Sequence, residues 1–445
     1  MIPTGFFRLS SGALVLDAMV LACVSEPRGA RLALVCAAEP GDPGAGQHVA
    51  IHDPARGTCV LLRATADGRL FAAWAGDLVA VLHAPPGEEP STLALYDPTD
   101  ATLVREVSLG ARASDTFGHW DSKGAAALEA ATDAPIVVAW EADWLSRSRY
   151  ARAYSVPELR LQGEAFLEAD DTWEEPYCWR PVERLPAAVS ADGTRFAEVS
   201  ISAPHRRYAL RVHRPWVDSP DRDGNDPEWS RFVPCEPDEV FMGGALRWVS
   251  PQRIVAHFWI DSPHAGADVD RLVRFDLPEK GDWIVTPLGA CLGPLAWLRG
   301  AALDPSGSRA VAECLRMPGD RRSLVVLDLE RDTILYERAC EGVGGRYGEA
   351  LCWVDDDAVA FVGGEQDAPT LVRWDLREDV RRATALPLGE DPEGWNCKVF
   401  GTLGPDVILA AHGWSSGHER LVLTSVPLAP TPTDHAPEPT PVTRS

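Results

Sequence analysis

Lysine is nearly missing from this chain of 445 residues: Lys123, Lys280 and Lys398 are the only three among 42 basic residues, against 66 acidic ones. The resulting formal net charge of −24 repels phosphate backbones and anionic lipid, so nucleic acid and membrane surfaces are excluded as partners. No apolar run approaches the roughly 20 residues of a membrane span. No C-x-x-C occurs. The ten cysteines (Cys23, Cys36, Cys59, Cys178, Cys235, Cys291, Cys314, Cys340, Cys352 and Cys397) stand singly, which argues against a zinc ribbon or a redox pair. No motif calls for a cofactor. Cys23 in "VLACV" and Cys36 in "LALVCAA" sit in apolar runs, as buried reduced thiols do, and a cytoplasmic protein is expected. "MVLAC" ending at Cys23 has the form of a lipoprotein signal box with Arg8 as its positive flank. Asp17 falls inside the would-be hydrophobic region, where charge is costly, so the stretch is read as a first strand.

Long helical periodicity is missing too, and what stands in its place is repetition. From Ala301 the chain runs "AALDPSGSRAVAECLRMPGDRRSLVVLDLERDTILYERAC". This parses as a strand, a D-P-S-G turn, a strand, a polar loop, a strand ending in Leu327-Asp328, a charged turn and a fourth strand. The first turn recurs as Asp67-Gly68, Asp192-Gly193, Ser250-Pro251 and Asp355-Asp356-Asp357. The third strand ends in an apolar or aromatic residue and Asp at Tyr96-Asp97, Phe275-Asp276 and Trp374-Asp375, and as His52-Asp53. Such an Asp accepts backbone N–H groups two residues on and closes the turn. The third and fourth copies, "RAYSVPEL" and "LRVHRPW", lack it.

Eight units are counted, beginning near residues 13, 64, 123, 184, 244, 298, 348 and 396, with seven as the count if one degenerate unit has been split. The expected fold is all-β: a single β-propeller of four-stranded blades over 1–428, followed by a disordered Pro/Thr-rich tail over 429–445. The last unit lacks a fourth strand of its own, and the N-terminal "GFFRLS" or "ALVLD" is expected to supply it and close the ring. These repeats resemble the WD40-like propellers of bacteria, including the TolB-like ones. The resemblance spans nearly the whole chain, but Trp374-Asp375 is the one literal W-D among its turns.

Three stretches invite chemistry. "HGWSSGHE" from His412 contains the G-x-S-x-G of serine hydrolases around Ser415, yet an apolar, β-branched run follows where a nucleophile elbow needs a helix. It reads as a hairpin loop, and no catalytic residue is assigned. His412 and His418 have no identifiable third metal ligand. "DSPDRDGNDPEW" clusters Asp221, Asp223 and Asp226 like a calcium loop, but its spacing puts serines at two EF-hand ligand positions, so it reads as an acidic insert.

The leading expectation is a non-catalytic interaction scaffold, a subunit of a bacterial signalling, regulatory or defence complex, whose partner is another protein with a neutral or basic surface. The alternative is an enzyme or small-ligand binder using the central channel. The scaffold reading puts the working face on the inter-blade rim. The aromatics there are Phe117, Trp120, Trp173, Tyr177, Trp179, Phe241, Trp395 and Trp414, with carboxylates around them.

Overall fold

The computed structural model describes residues 7–8, 13–27, 29–39, 42–85, 89–109, 123–143, 148–167, 187–202, 207–213, 229–233, 240–262, 267–277, 282–293, 296–316, 321–340, 351–363, 369–386, 395–413, 419–424 and 426. Strands β1 (Phe7–Arg8) and β2 (Leu14–Asp17) come first. Blade 1 is β3 (Val20–Ser25), β4 (Leu32–Glu39), β5 (Asp42–Asp53) and β6 (Thr58–Thr65). Blade 2 is β7 (Arg69–Ala75), β8 (Leu78–Ala84), β9 (Thr92–Tyr96) and β10 (Leu103–Ser108). Blade 3 is β11 (Lys123–Ala130), β12 (Ile136–Asp143), β13 (Ser148–Ser155) and β14 (Leu161–Leu167). Blade 4 is β15 (Ala187–Val189), β16 (Phe196–Ser202), β17 (Arg207–His213) and β18 (Trp229–Phe232).

Blade 5 is β19 (Val240–Ser250), β20 (Arg253–Ser262), β21 (Ala267–Asp276) and β22 (Ile284–Leu288), with a short 3₁₀ turn at Ala290–Leu292 after it. Blade 6 is β23 (Ala296–Leu303), β24 (Arg309–Arg316), β25 (Arg321–Asp328) and β26 (Thr333–Ala339). Blade 7 is β27 (Leu351–Asp355), β28 (Ala358–Gly363), β29 (Thr370–Asp375) and β30 (Val380–Ala385). Last come β31 (Trp395–Leu403), β32 (Asp406–Gly413) and β33 (Glu419–Thr424). Each blade is an antiparallel meander, and a single bridge, Asp270 opposite Leu298, joins blades 5 and 6 into one hydrogen-bonded sheet. The architecture is an all-β propeller.

The fourth strand against β33 is β2, with Leu14, Val15, Leu16 and Asp17 opposite Leu423, Val422, Leu421 and Arg420; β1 pairs outside it. Arg420 Nε donates to Asp17 Oδ1 at 2.9 Å across that pairing. With β2, strands β31 to β33 make blade 8.

Turn chemistry explains the repeat. In blade 6, Asp304 accepts the Arg309 N–H at 3.0 Å and the Ser306 hydroxyl at 2.7 Å, while Gly307 takes φ 71°. A Cβ at Gly307 would lie 2.5 Å from Val249 Cγ2 of blade 5, so the glycine serves both the left-handed turn and the fit between blades. At the end of the third strand, Asp97 accepts the Thr99 N–H and Asp328 the Glu330 N–H, each at 2.8 Å, and Asp375 accepts the Glu378 N–H at 3.2 Å. In the third copy Ser155 stands in for the Asp, its hydroxyl accepting the Arg160 N–H at 3.3 Å. One expected turn is misplaced. Asp67-Gly68 connects β6 to β7, between blades, and the first turn of blade 2 is formed at Gly76, φ 64°. Both sites offer an Asp beside a Gly, and only the pairing of Ala75 with Leu78 distinguishes them.

The core lies between blades rather than within them. Along each second strand alternate residues face the preceding and the following blade. Val79 and Val81 pack on blade 1, while Ala80 and Leu82 pack on blade 3. Further shared cores join blades 4 and 5 (Val199, Phe258, Phe275), 5 and 6 (Leu272, Ala312, Val325), 6 and 7 (Val326, Phe361, Trp374), 7 and 8 (Val362, Leu409), and 8 and 1 (Leu421, Leu34). Blades 3 and 4 meet where the Asp133 N–H donates to Ala191 O at 2.8 Å. Each fully buried side chain such as Phe258 or Phe275 contributes about 1.5–3 kcal/mol.

Candidate functional site

The first strand of every blade is innermost, and in a propeller these strands surround the central channel. Their charged residues are Arg69, Lys123, Glu129, Arg247, Arg299, Asp355 and Lys398. Five are basic and two acidic, the reverse of the chain's 42 to 66. Two of the three lysines are among them. Arg69 is exposed and stands opposite Ala84; Lys398 is half-buried, opposite Ala410, with its ammonium 5.7 Å from the Phe400 ring centroid. Arg299 and Arg247 are half-buried as well. Burial lowers the Arg247 pKa, and the Asp304 carboxylate opposes that shift.

Tryptophans tie the inner strands to one another. The Trp74 indole N–H donates to Val24 O at 3.0 Å, Trp248 to Ala188 O at 3.2 Å and Trp353 to Ala302 O at 3.0 Å. Each acceptor is on the innermost strand of the preceding blade. An arginine from the start of that blade's second strand accompanies the contact. Arg31 lies 5.3 Å from the Trp74 centroid and Arg309 4.6 Å from that of Trp353, while Arg195 donates to Pro251 O beside Trp248's strand.

Two histidine–carboxylate pairs are buried between blades. His257 Nε2 lies 3.1 Å from Asp270 Oδ2, which accepts the Ala301 N–H of blade 6 at 3.0 Å. Trp259 meets the His257 ring edge-on at 5.9 Å. In blade 4, His213 Nε2 is 3.6 Å from Glu198 Oε1. A carboxylate beside an imidazole is the arrangement that orients a general base. At 6% and 7% side-chain exposure, however, His257 and Asp270 are closed off and serve to join strands and blades. Among the described residues no cluster of three or more His, Cys, Asp or Glu could hold a metal. No described helix is long and apolar enough to cross a membrane.

Most of the rim expected to bind a partner lies outside the described residues: Phe117, Trp120, Trp173, Tyr177, Trp179 and Trp414, and likewise Asp221, Asp223 and Asp226. The two that are described lie in strands and not in inter-blade loops. Phe241 pairs with Ile260 in β19, and Trp395 opens β31 opposite Gly413. The strands simply extend further into those connections than the Asp and Gly punctuation implies. Ser415 is also outside the described residues, but its flanks are clear. Gly413 ends β32, Glu419 opens β33, and the two strands run antiparallel with His412 opposite Glu419. That is hairpin geometry, without the helix an elbow requires. Cys23 stands in β3. The inner-strand cations went unnoticed in the sequence, although the scarcity of lysine was a usable signal.

No family model matches this chain, and no curated protein does. Among solved structures it is similar to the Dos1 propeller at 13% identity, covering 95% of each chain with a TM-score of 0.49. It is similar to an oligogalacturonate lyase in complex with manganese at 12% identity, covering 96% of this chain and 97% of that one, TM-score 0.48. It is also similar to a prolyl endopeptidase at 14% identity, covering 89% of this chain, TM-score 0.47. The chain spans 55% of that endopeptidase's length and 58% of a similar puromycin-hydrolysing peptidase from Mycobacterium tuberculosis. At such identities the likeness speaks for the fold alone. It nonetheless corrects the leading expectation, that of a non-catalytic scaffold and of a chain that is not an enzyme. That expectation rested on what propellers commonly do, and the propellers similar to this one include those of peptidases and a lyase.

Proposed function

We propose that this protein works from its central channel, as an enzyme or small-ligand binder, on a small anionic molecule. The observation that supports this is the charge reversal on the innermost strands, five basic residues to two acidic, in a chain of net charge −24. A cation held in a low-dielectric channel attracts an anion more strongly than one on the surface, while the acidic exterior repels long polyanions. Arg299 and Lys398, on blades 6 and 8, are the residues assigned to the ligand. The subfamily of this reading is the WD40-like or TolB-like one, on the strength of its turns. A reducing cytoplasm suits the eight described cysteines, all free thiols.

The test is a melting-temperature screen against small carboxylates, sugar acids and phosphate esters. A ligand at 100 times its Kd adds about 2.7 kcal/mol, or roughly 3 °C for a unit of this size. Arg299→Ala with Lys398→Ala removes that shift. Stabilisation by cations instead of anions, or an unchanged shift in the double variant, refutes the proposal.

A further inference from the structure

We infer that Asp270 is a positioning residue for the channel site, fixing the bulge in β23 that keeps Arg299 off the buried face of its strand; the inference rests on the channel reading. The bulge lies between Arg299 and Ala302, where Gly300 takes φ 64°. It breaks the alternation of the strand. Leu298 and Ala301, three positions apart, both pack into the core shared with blade 5. Counted back from the pairing of Ala302 with Val311, an unbroken register would set Arg299 opposite Cys314, a fully buried member of that core. The extra residue sets it opposite Glu313 instead. Glu313 pairs with Arg322 at 3.6 Å, and among the described residues Arg299 has no hydrogen bond or ion pair. A half-buried guanidinium without a carboxylate has all its donors to offer an anion.

Lys398, the other residue assigned to the ligand, stands in the same relation to a bulge. The register of β31 shifts between Val399 and Gly401, and Gly401 takes φ 136°. Counted back from the pairing of Gly401 with Ile408, an unbroken register would set Lys398 opposite Ala411, in the core shared with blade 7. With the bulge, Lys398 stands opposite Ala410.

What holds the bulge of β23 comes from blade 5. A bulge leaves an amide without a partner in its own ladder, and here the Ala301 N–H donates to Asp270 Oδ2 at 3.0 Å. The backbone of Asp270 pairs with Leu298. One residue of the preceding blade thus grips β23 on both sides of Arg299 and Gly300. His257 Nε2 lies 3.1 Å from the same carboxylate oxygen, without the alignment of a hydrogen bond. Blade 1 makes a comparable contact from its third strand with a neutral group: Gln47 Oε1 accepts the Leu70 N–H, beside Arg69, at 2.8 Å. A carbonyl oxygen therefore suffices for such a bond, and Asp270→Asn is the conservative variant.

Arginine labelling of the full chain with phenylglyoxal, mapped by peptide mass, tests this with inorganic phosphate as the probe. In the wild-type protein phosphate is expected to protect Arg299 and to leave Arg105, exposed on β10, unprotected. In Asp270→Ala the phosphate concentration that protects Arg299 is expected to rise about tenfold, and Asp270→Asn restores the wild-type value. Gly300→Ala strains the left-handed bulge without unpairing a buried group, and serves if Asp270→Ala fails to fold. A staple that only joined blades would lower Tm in Asp270→Ala and leave protection unchanged. That result overturns the positioning role while the channel reading stands. Arg299 unprotected by phosphate in the wild-type protein overturns the channel reading, and the inference with it.

Discussion

Replacing Trp353 by Leu separates two ways in which this ring could hold together. The indole of Trp353 is 7% exposed, donates to Ala302 O of blade 6 at 3.0 Å, and carries Arg309 at 4.6 Å over its ring. Losing the hydrogen bond costs about 1 kcal/mol net. Losing the part of the indole that leucine cannot fill costs about 1–2 kcal/mol more. The arginine stacking, with the Arg309 side chain 23% exposed, adds about 0.5–1 kcal/mol. The sum is about 3 kcal/mol.

The same figure can be read as cooperativity. At about 2.1 cal/mol/K per residue, a ring melting as one unit of this length has an unfolding entropy near 0.9 kcal/mol/K, and Tm falls by about 3 °C. A cooperative unit of about 150 residues would instead fall by about 10 °C. Differential scanning calorimetry gives both the shift and the unit size through the van't Hoff ratio. A double-mutant cycle with Arg309→Met isolates the stacking, because Arg309 also pairs with Asp304 at 3.3 Å and the single variant alone would mix the two. The expected coupling is about 0.5–1 kcal/mol. Coupling below about 0.3 kcal/mol, or a Trp353→Leu cost under about 1 kcal/mol, would refute the view that these brackets fasten one blade to the next.

Deleting residues 1–18 removes β1 and β2 and leaves the β33 edge open. Light scattering is expected to show aggregation, and a soluble monomer of unchanged stability would contradict the closure. Deleting 431–445 is expected to leave the melt unchanged. Ala101 holds φ 62° in the last turn of blade 2, so Ala101→Gly is expected to raise stability by about 0.5–1 kcal/mol, whereas Gly76→Ala at φ 64° lowers it by about 1–2 kcal/mol, both read by calorimetry. In the native protein a thiol reagent should label exposed Cys291 first. It should spare Cys352 and Cys397, which burial pushes up to about 12; labelling of Cys352 before unfolding would mean the core between blades 7 and 8 is open.

The repeat was legible because its punctuation is chemical. Asp97, Asp328 and Asp375 recur because a carboxylate closes a turn, and Gly193 and Gly307 recur because a left-handed turn abuts the neighbouring blade. Local signals of that kind survive in one sequence. Asp67-Gly68 carries the same letters in a different place, since an Asp and a Gly specify a turn without specifying which strands it joins. The brackets were harder to see. Trp353 and Arg309 are 44 positions apart in sequence and meet only because blade 7 follows blade 6 in space. The inner-strand cations posed the same difficulty, because no single one of them is unusual. Arg299 and Lys398 belong to one set only in that each lies on the first strand of its blade, and a set defined by radial position leaves no mark at a fixed spacing along the chain. The aromatic rim made the opposite error possible. Tryptophans clustered in acidic connections read as a binding face, yet those described most fully, Trp74, Trp248 and Trp353, spend their indoles on the preceding blade's backbone. In a ring built from repeats, an abundance of tryptophan is therefore first a statement about how blades are fastened. Under the channel reading proposed above, the rarer residue, lysine, is the better guide to the working site.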